Sequence, residues 1–359
     1  MATVTVYSAG DGARMLRRMQ TIRRLTLTAA LAFPLAGMVA TAPAAAQDTT
    51  AAGTVFFPSP VQQLGDQTLT DRKDADYAAL QPAYRRVTLT DLDGSGTLSG
   101  RYVAVKSTTG EPARTVGGDF ADYRRDADQF EQVMGYYWVT TAQHYLQHLG
   151  FGSKLRPVNQ RQIELRINQY GADNSFFRED KANITLGKGG VDDAEDAEVI
   201  VHEYGHSVQD GQVTGFGTNL ESGAIGEAFS DYLAVVVTSW AAGTPAQTPE
   251  ACVADWDSVS YRSTVPHCLR RLDGTKHYPE DVVGQVHADG EIWSRALWDI
   301  RQGLGDFKAS SLIIEAQFAF TADTSFRAAA QATVAAAQRL YGAQAANTTQ
   351  RAFAARGIL

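Results

Sequence analysis

His202, Glu203 and His206 lie in one short segment that begins with the apolar run Val199, Ile200 and Val201. On a helix, residues four apart share a face, so His202 and His206 point the same way and can grip one ion. Glu203 follows His202 directly and flanks that ion rather than binding it. This is the H-E-x-x-H pattern, two zinc ligands with a general base between them. Neutral imidazoles suit zinc, and a catalytic zinc site keeps one position open for water. The bland alternative is a structural helix with two fortuitous histidines. The next helical segment argues against it. Glu227 lies 21 residues after His206, and Asp231 is one turn beyond Glu227 on the same face. Glu227 completes a His₂Glu ligand set. Asp231 suits a carboxylate that accepts an N–H from a zinc histidine and raises its basicity.

These residues need rigid elements to hold them. Periodicity predicts a helix over 195–209 and another over 224–240, bearing the two halves of the set. An earlier helix spans 127–149, with Phe130, Met134, Tyr137, Trp138, Thr141, Tyr145 and Leu149 along it, and Gly150 stops it. His144 and His148 sit four apart on that helix, but no glutamate lies between them and no third ligand follows, so a satisfied structural role is expected. Ile163, Leu165 and Ile167 alternate with polar neighbours and predict a strand over 162–168. Further strands are expected at 174–178 and 183–186. Segments 86–90 and 101–105 flank the turn residues Asp91 to Gly96 and read as a β-hairpin. That turn resembles the start of a calcium loop, but Tyr102 stands where a glutamate is needed. Helical patterns resume at Val286 and run to the C-terminus. Strands first and helices later predict an α+β fold with a helical C-terminal half. The expected organisation is residues 1–46, 47–118 as a β-rich segment, 119–240 as a zinc-binding subdomain, and 241–359 as a mainly helical one.

The chain has 359 residues and a net charge of −8, with no basic stripe of the kind that nucleic acid requires. Residues 1–46 carry Arg14, Arg17, Arg18, Arg23 and Arg24, then an apolar run, then small residues ending at Ala46. That order predicts a secretory signal peptide and a secreted or periplasmic product; an uncleaved anchor is the alternative. No later stretch suits stable membrane insertion. The only cysteines are Cys252 and Cys268. In an exported chain they favour one disulfide over two free thiols. Closing a loop of about 16 residues is worth roughly 3 kcal/mol in the chain-entropy model. Asp192, Asp193, Glu195, Asp196 and Glu198 form an acidic run. A solvated loop with an acidic helix start is the expected reading, and a Ca²⁺ site is the alternative.

The two metal-ligand segments resemble the thermolysin-like zinc metallopeptidases (gluzincins), and more closely their fungalysin branch. His202, Glu203, His206, Glu227 and Asp231 match that family's motif, as do Glu221, Ser222 and Gly223 ahead of the third ligand. The resemblance implies a thermolysin-like catalytic domain with a mixed sheet and an active-site helix, and one catalytic Zn²⁺. The segment from Gln285 to Trp293 resembles the fungalysin segment that carries a transition-state histidine, which would be His287, with Asp281 as a candidate to orient it. Asn174 and Ser175 resemble the edge strand that pairs with substrate, and Arg270, with Arg271 as rival, an arginine that holds a substrate carbonyl. A bulky apolar residue just after the cut is also implied. Thr218 stands where the thermolysin branch has an oxyanion-binding tyrosine, which shifts load to His287. No inhibitory prodomain of the family's kind is recognisable between Gln47 and Gly118.

The function expected is that of a zinc metalloendopeptidase acting on peptide or protein substrates. Glu203 would be the general base and His287 a catalytic donor, with His202, His206 and Glu227 holding the metal. Two rivals are an exopeptidase of the aminopeptidase kind and an exported zinc-binding protein without catalysis. The sequence leaves the oligomeric state open.

Overall fold

The computed structural model describes residues 49–107, 109–243 and 247–359. The signal segment expected over 1–46 lies outside them. Strand β1 (Thr49–Phe56) pairs antiparallel with β2 (Tyr84–Leu92), running from Phe56 opposite Tyr84 to Thr49 opposite Leu92. Between them sits the short helix α1 (Pro60–Leu64), where Ser59 caps the Gln62 N–H and Gly65 turns out at φ 66°. Strand β3 (Val103–Ser107) does not return along β2. It joins a different sheet, parallel to β6 (Ile163–Tyr170). The expected hairpin is therefore corrected. Alternation identified both strands, but it carries no information about partners, and the turn between them closes only by isolated bridges such as Leu92 with Gly100. Two short strands, β4 (Thr115–Val116) and β5 (Asp119–Phe120), pair with each other.

The main sheet is mixed, in the order β3-β6-β8-β7. Strand β8 (Asn183–Gly187) runs parallel to β6, and β7 (Phe176–Arg178) lies antiparallel at the edge. Helix α2 (Asp128–His148) is apolar most of the way round, burying Phe130, Val133, Met134, Tyr136, Trp138, Val139, Tyr145 and Leu146. A helix of that pattern belongs inside. It packs between the β1–β2 pair and the main sheet, and at Gly135 an added Cβ would fall 2.5 Å from Leu165. Truncating its fully buried Trp138 to alanine should cost about 3–5 kcal/mol. His144 bonds Asp91 at 2.8 Å and His148 packs on Trp240, so both are structurally satisfied.

Two long helices follow, α3 (Ala197–Gln212) and α4 (Leu220–Ala242). Asp196 caps α3 through the Glu198 N–H, and Asn219 forms a capping box with Ser222 at the start of α4. The helices touch closely at Gly205, where a Cβ would stand 2.7 Å from Ser230 Oγ and 2.8 Å from Ser230 Cα. That contact accounts for a glycine inside a helix, where it costs about 1 kcal/mol relative to alanine. Strands β9 (Cys252–Val253) and β10 (Arg270–Arg271) pair antiparallel, and Cys252 is disulfide-bonded to Cys268. Helices α5 (Val286–Leu304), α6 (Asp306–Gln317), α7 (Phe326–Tyr341) and α8 (Ala343–Ala354) complete the chain. The expected α+β fold with a helical C-terminal half is borne out. None of the described helices is long and apolar enough to cross a membrane.

The acidic run ahead of α3 is not solvated. Asp192, Asp193, Glu195, Asp196 and Glu198 are all buried, at 3% exposure or less. Most have partners from remote segments. Arg125 and the Trp256 indole bond Glu195, the Trp256 and Asp257 amides bond Asp196, and the Ala254 amide and Thr238 bond Glu198. Buried carboxylates are tolerated where hydrogen bonds replace water. Arg125 also reaches Asp71, so this network ties the N-terminal segment to the start of α3. Removing that arginine would strand Glu195 and should cost about 3–5 kcal/mol.

Candidate active site

Helix α3 presents His202 and His206 on the face that meets α4, and Glu227 stands opposite on α4. The Nε2 atoms of the two histidines are 3.2 Å apart. Glu227 Oε2 lies 3.3 Å from His202 Nε2, and its Oε1 lies 3.7 Å from His206 Nε2. One donor atom from each of the three falls within 4.8 Å of the others. His202 is oriented from behind by Asp231, whose Oδ1 is 2.8 Å from Nδ1. Arg270 on β10 clamps the same carboxylate with two bonds of 2.6 Å. Its rival Arg271 turns away and pairs with Asp273.

The electrostatics fit a site built around positive charge. Burial alone would depress His202, but the carboxylates of Asp231 and Glu227 outweigh it and hold the imidazole up at about 10. Burial takes His206 down to about 4, so its ring is neutral at ordinary pH. Burial opposes ionisation of Asp231, yet Arg270 and His202 pull its carboxyl down to about 2. Glu227 is likewise held well below the usual range by the surrounding histidines, against burial. Glu203 differs. Burial pushes its carboxyl up to about 7, and the Phe177 amide on edge strand β7 faces it. Its Oε2 is buried with no hydrogen-bond partner. A carboxylate near 7 with one open oxygen is suited to taking and returning a proton.

His287 enters from the first turn of α5, with Nε2 3.1 Å from Glu227 Oε2. Gln285, the N-cap of that helix, holds its other nitrogen. The Gln285 carbonyl oxygen accepts the Ala288 N–H at 2.6 Å, which leaves its amide nitrogen to donate to His287 Nδ1 at 2.8 Å. Nδ1 is therefore the acceptor, and the proton of the neutral ring sits on Nε2, facing the site. Asp281 is occupied with the His277 N–H. Sequence reading missed Gln285, although a glutamine three residues before an amide it could cap was a visible signal.

Asn174 is exposed just before β7, the edge of the main sheet. Ser175 points inward, its hydroxyl donating to Asp193 and accepting the Gly187 N–H. Thr218 is tied to the Ala322 carbonyl.

Fold and site together define a His₂Glu centre on paired helices beside a mixed sheet. Residues 215–358 match the family model for the thermolysin metallopeptidase alpha-helical domain. Extracellular metalloproteinase 4 of Trichophyton tonsurans is 30% identical over 125 residues, covering 31% of this chain and 18% of that protein. The gelatinase of Enterococcus faecalis is 28% identical over 183 residues, covering 46% of this chain and 34% of that one. The solved precursor of protealysin, a metalloproteinase from Serratia proteamaculans, aligns with a TM-score of 0.52 at 16% identity. It covers 72% of this chain and 86% of its own, and it speaks for the fold. The helical half of the chain is thus similar to that of the thermolysin metallopeptidases, and the fold follows that of the protealysin precursor over 72% of the chain. The chain spans only 18% to 34% of the length of those two curated relatives.

Proposed function

We propose that this chain is an exported zinc endopeptidase that hydrolyses peptide bonds with Glu203 as general base. The observation that carries the reading is the convergence of His202, His206 and Glu227 beside the unpartnered oxygen of Glu203. Two imidazoles and one carboxylate are a donor set that fits zinc. Held by those three residues, zinc would lower the pKa of a water to roughly 7 and polarise the substrate carbonyl.

The chain's own groups supply the rest. Glu203 takes a proton from the attacking water and returns it to the departing amine nitrogen. His287 offers its Nε2–H to the carbonyl oxygen as that oxygen becomes negative, an interaction typically worth about 3–4 kcal/mol. Asp231, backed by Arg270, keeps the His202 ring turned toward the metal position. The edge strand at Asn174 pairs with the substrate backbone by strand addition. Extracellular relatives and the signal-like N-terminus support export.

The test is cleavage of casein and of peptides blocked at both ends. Activity should vanish with a chelator, return with zinc, and be lost in Glu203→Gln. Full activity in that variant would sink the mechanism. Cleavage restricted to free amino termini would favour the exopeptidase.

A further inference from the structure

The donor nitrogen of His287 is aimed by the stretch of backbone that leads into α5, and that stretch has little else to shape it. Residues 279–285 are all exposed, Val283 at 70%. Upstream the loop is anchored at Tyr278, whose N–H donates to the Arg356 carbonyl at 2.8 Å and whose hydroxyl donates to Glu221 at 3.0 Å. Downstream α5 is seated on α4. An added Cβ at Gly223 would fall 2.9 Å from Val286, and one at Gly290 would fall 3.0 Å from the Ala224 carbonyl oxygen. Between these anchors the Asp281 and Val282 N–H groups donate to the His277 and Pro279 carbonyls of the same loop, which ties the loop to itself and not to the helix.

Asp289 makes that connection. It lies one turn into α5 and is 2% exposed. Its carboxylate reaches back past the helix start, accepting the Val283 N–H at 2.8 Å on one oxygen and the Gly284 N–H at 3.0 Å on the other. Gly284 stands at φ 78°, a left-handed backbone that suits glycine. With both amides tied, the chain enters the helix through Gln285 in one way. Gln285 is the residue that donates to His287 Nδ1, so the turn held by Asp289 sets where that amide stands. The helix dipole would favour an acid anywhere in the first turn, and it does not require two oxygens to bridge consecutive amides outside the helix.

We propose that Asp289 is a positioning residue for the reaction. It holds the turn at 283–285 and, through Gln285, keeps the His287 Nε2–H directed at the substrate carbonyl. This rests on the peptidase reading and deepens it.

The experiment compares the zinc-loaded full chain as wild type, Asp289→Ala, His287→Ala and the double variant, on peptides blocked at both ends and with zinc content measured for each. Asp289→Ala should lower kcat by about 10- to 100-fold, the scale of a displaced catalytic group, with KM unchanged. In the His287→Ala background the same change should cost less than about twofold, because the two residues act as one unit. Asp289→Asn keeps one acceptor and should fall between wild type and Asp289→Ala. Losses that multiply in the double variant would make Asp289 a purely structural residue and overturn the proposal, as would an unchanged kcat. Should Asp289→Ala fail to fold, Asp289→Asn takes its place in the cycle and the same outcomes decide. The ring itself is read by nitrogen NMR spectra of the histidines at one fixed pH, with the His287 signal identified by its absence from His287→Ala. Wild type should carry the proton on Nε2, and Asp289→Ala should move toward a mixture of the two tautomers. A wild type that shows this change but cuts no peptide would support the positioning and fail the peptidase reading. A His287 signal unmoved by Asp289→Ala overturns the positioning, whether or not peptides are cut.

Discussion

Asp231 and Asp257 are both buried aspartates, and their surroundings drive them in opposite directions. Burial raises each. At Asp231 the Arg270 fork overrides it and brings the carboxyl down to about 2. At Asp257 burial dominates, the charges of Asp173 and Asp196 add to it against the Tyr261 hydroxyl and the more distant Arg270, and the carboxyl stands at about 8. The histidine–glutamate centre thus carries its compensating charge in its own side chains, while in the neighbouring acid cluster burial and like charges raise the carboxyls together. Burial sets the state of a carboxylate unless a full positive charge lies within hydrogen-bond reach; a neutral hydroxyl does not suffice.

The comparison can be broken at its strongest point by Arg270→Met. That change leaves Asp231 buried without its cation and should cost about 3–5 kcal/mol in urea unfolding. A loss below 1 kcal/mol would mean that the clamp does not hold the carboxylate. Next in size is His287→Ala. With zinc content unchanged, kcat should fall by about 10² to 10³, because the only group altered is the donor whose tautomer Gln285 sets. An unchanged kcat would remove His287 from the chemistry. Asp231→Asn should weaken zinc affinity by about 10- to 100-fold, measured by chelator competition, since the amide no longer orients and polarises His202.

The acid limb of the pH profile sharpens the contrast most finely. Glu203 must be ionised to accept a proton, and burial places its carboxyl at about 7. Below that value the protonated fraction grows, so kcat/KM should fall toward low pH by about tenfold per unit once protonation dominates. A cation at the adjacent ligands would draw the midpoint lower, never higher. A profile flat from pH 7 down to 4 would show that Glu203 is not the titrating base.

The spacing of His202, Glu203 and His206 was legible because helical geometry turns four residues into one face. Glu227 and Asp231 followed by the same rule. The helices themselves were legible from periodicity, with ends shifted by a few residues where caps such as Asp196 and Asn219 decide. The hairpin expected from segments 86–90 and 101–105 was not legible, because alternation marks a strand and says nothing of which strand it meets. The acidic run from Asp192 to Glu198 looked solvated, because the groups that bury it, Arg125, Thr238 and Trp256, come from distant parts of the chain.

What the sequence by itself determined is therefore the local pattern: His202, Glu203 and His206 on one helix, Glu227 one helix later, and His287 on the first turn of another. Periodicity and side-chain type carry that information within a few turns of chain. Only the tertiary structure decided which charges meet. Arg270 reaches Asp231 across 39 residues, Gln285 rather than Asp281 sets the His287 proton, and Asp257 gathers with Asp173 and Asp193 from three separate segments. Electrostatic energy depends on distance in space and on the water excluded between charges, and neither can be read along the chain.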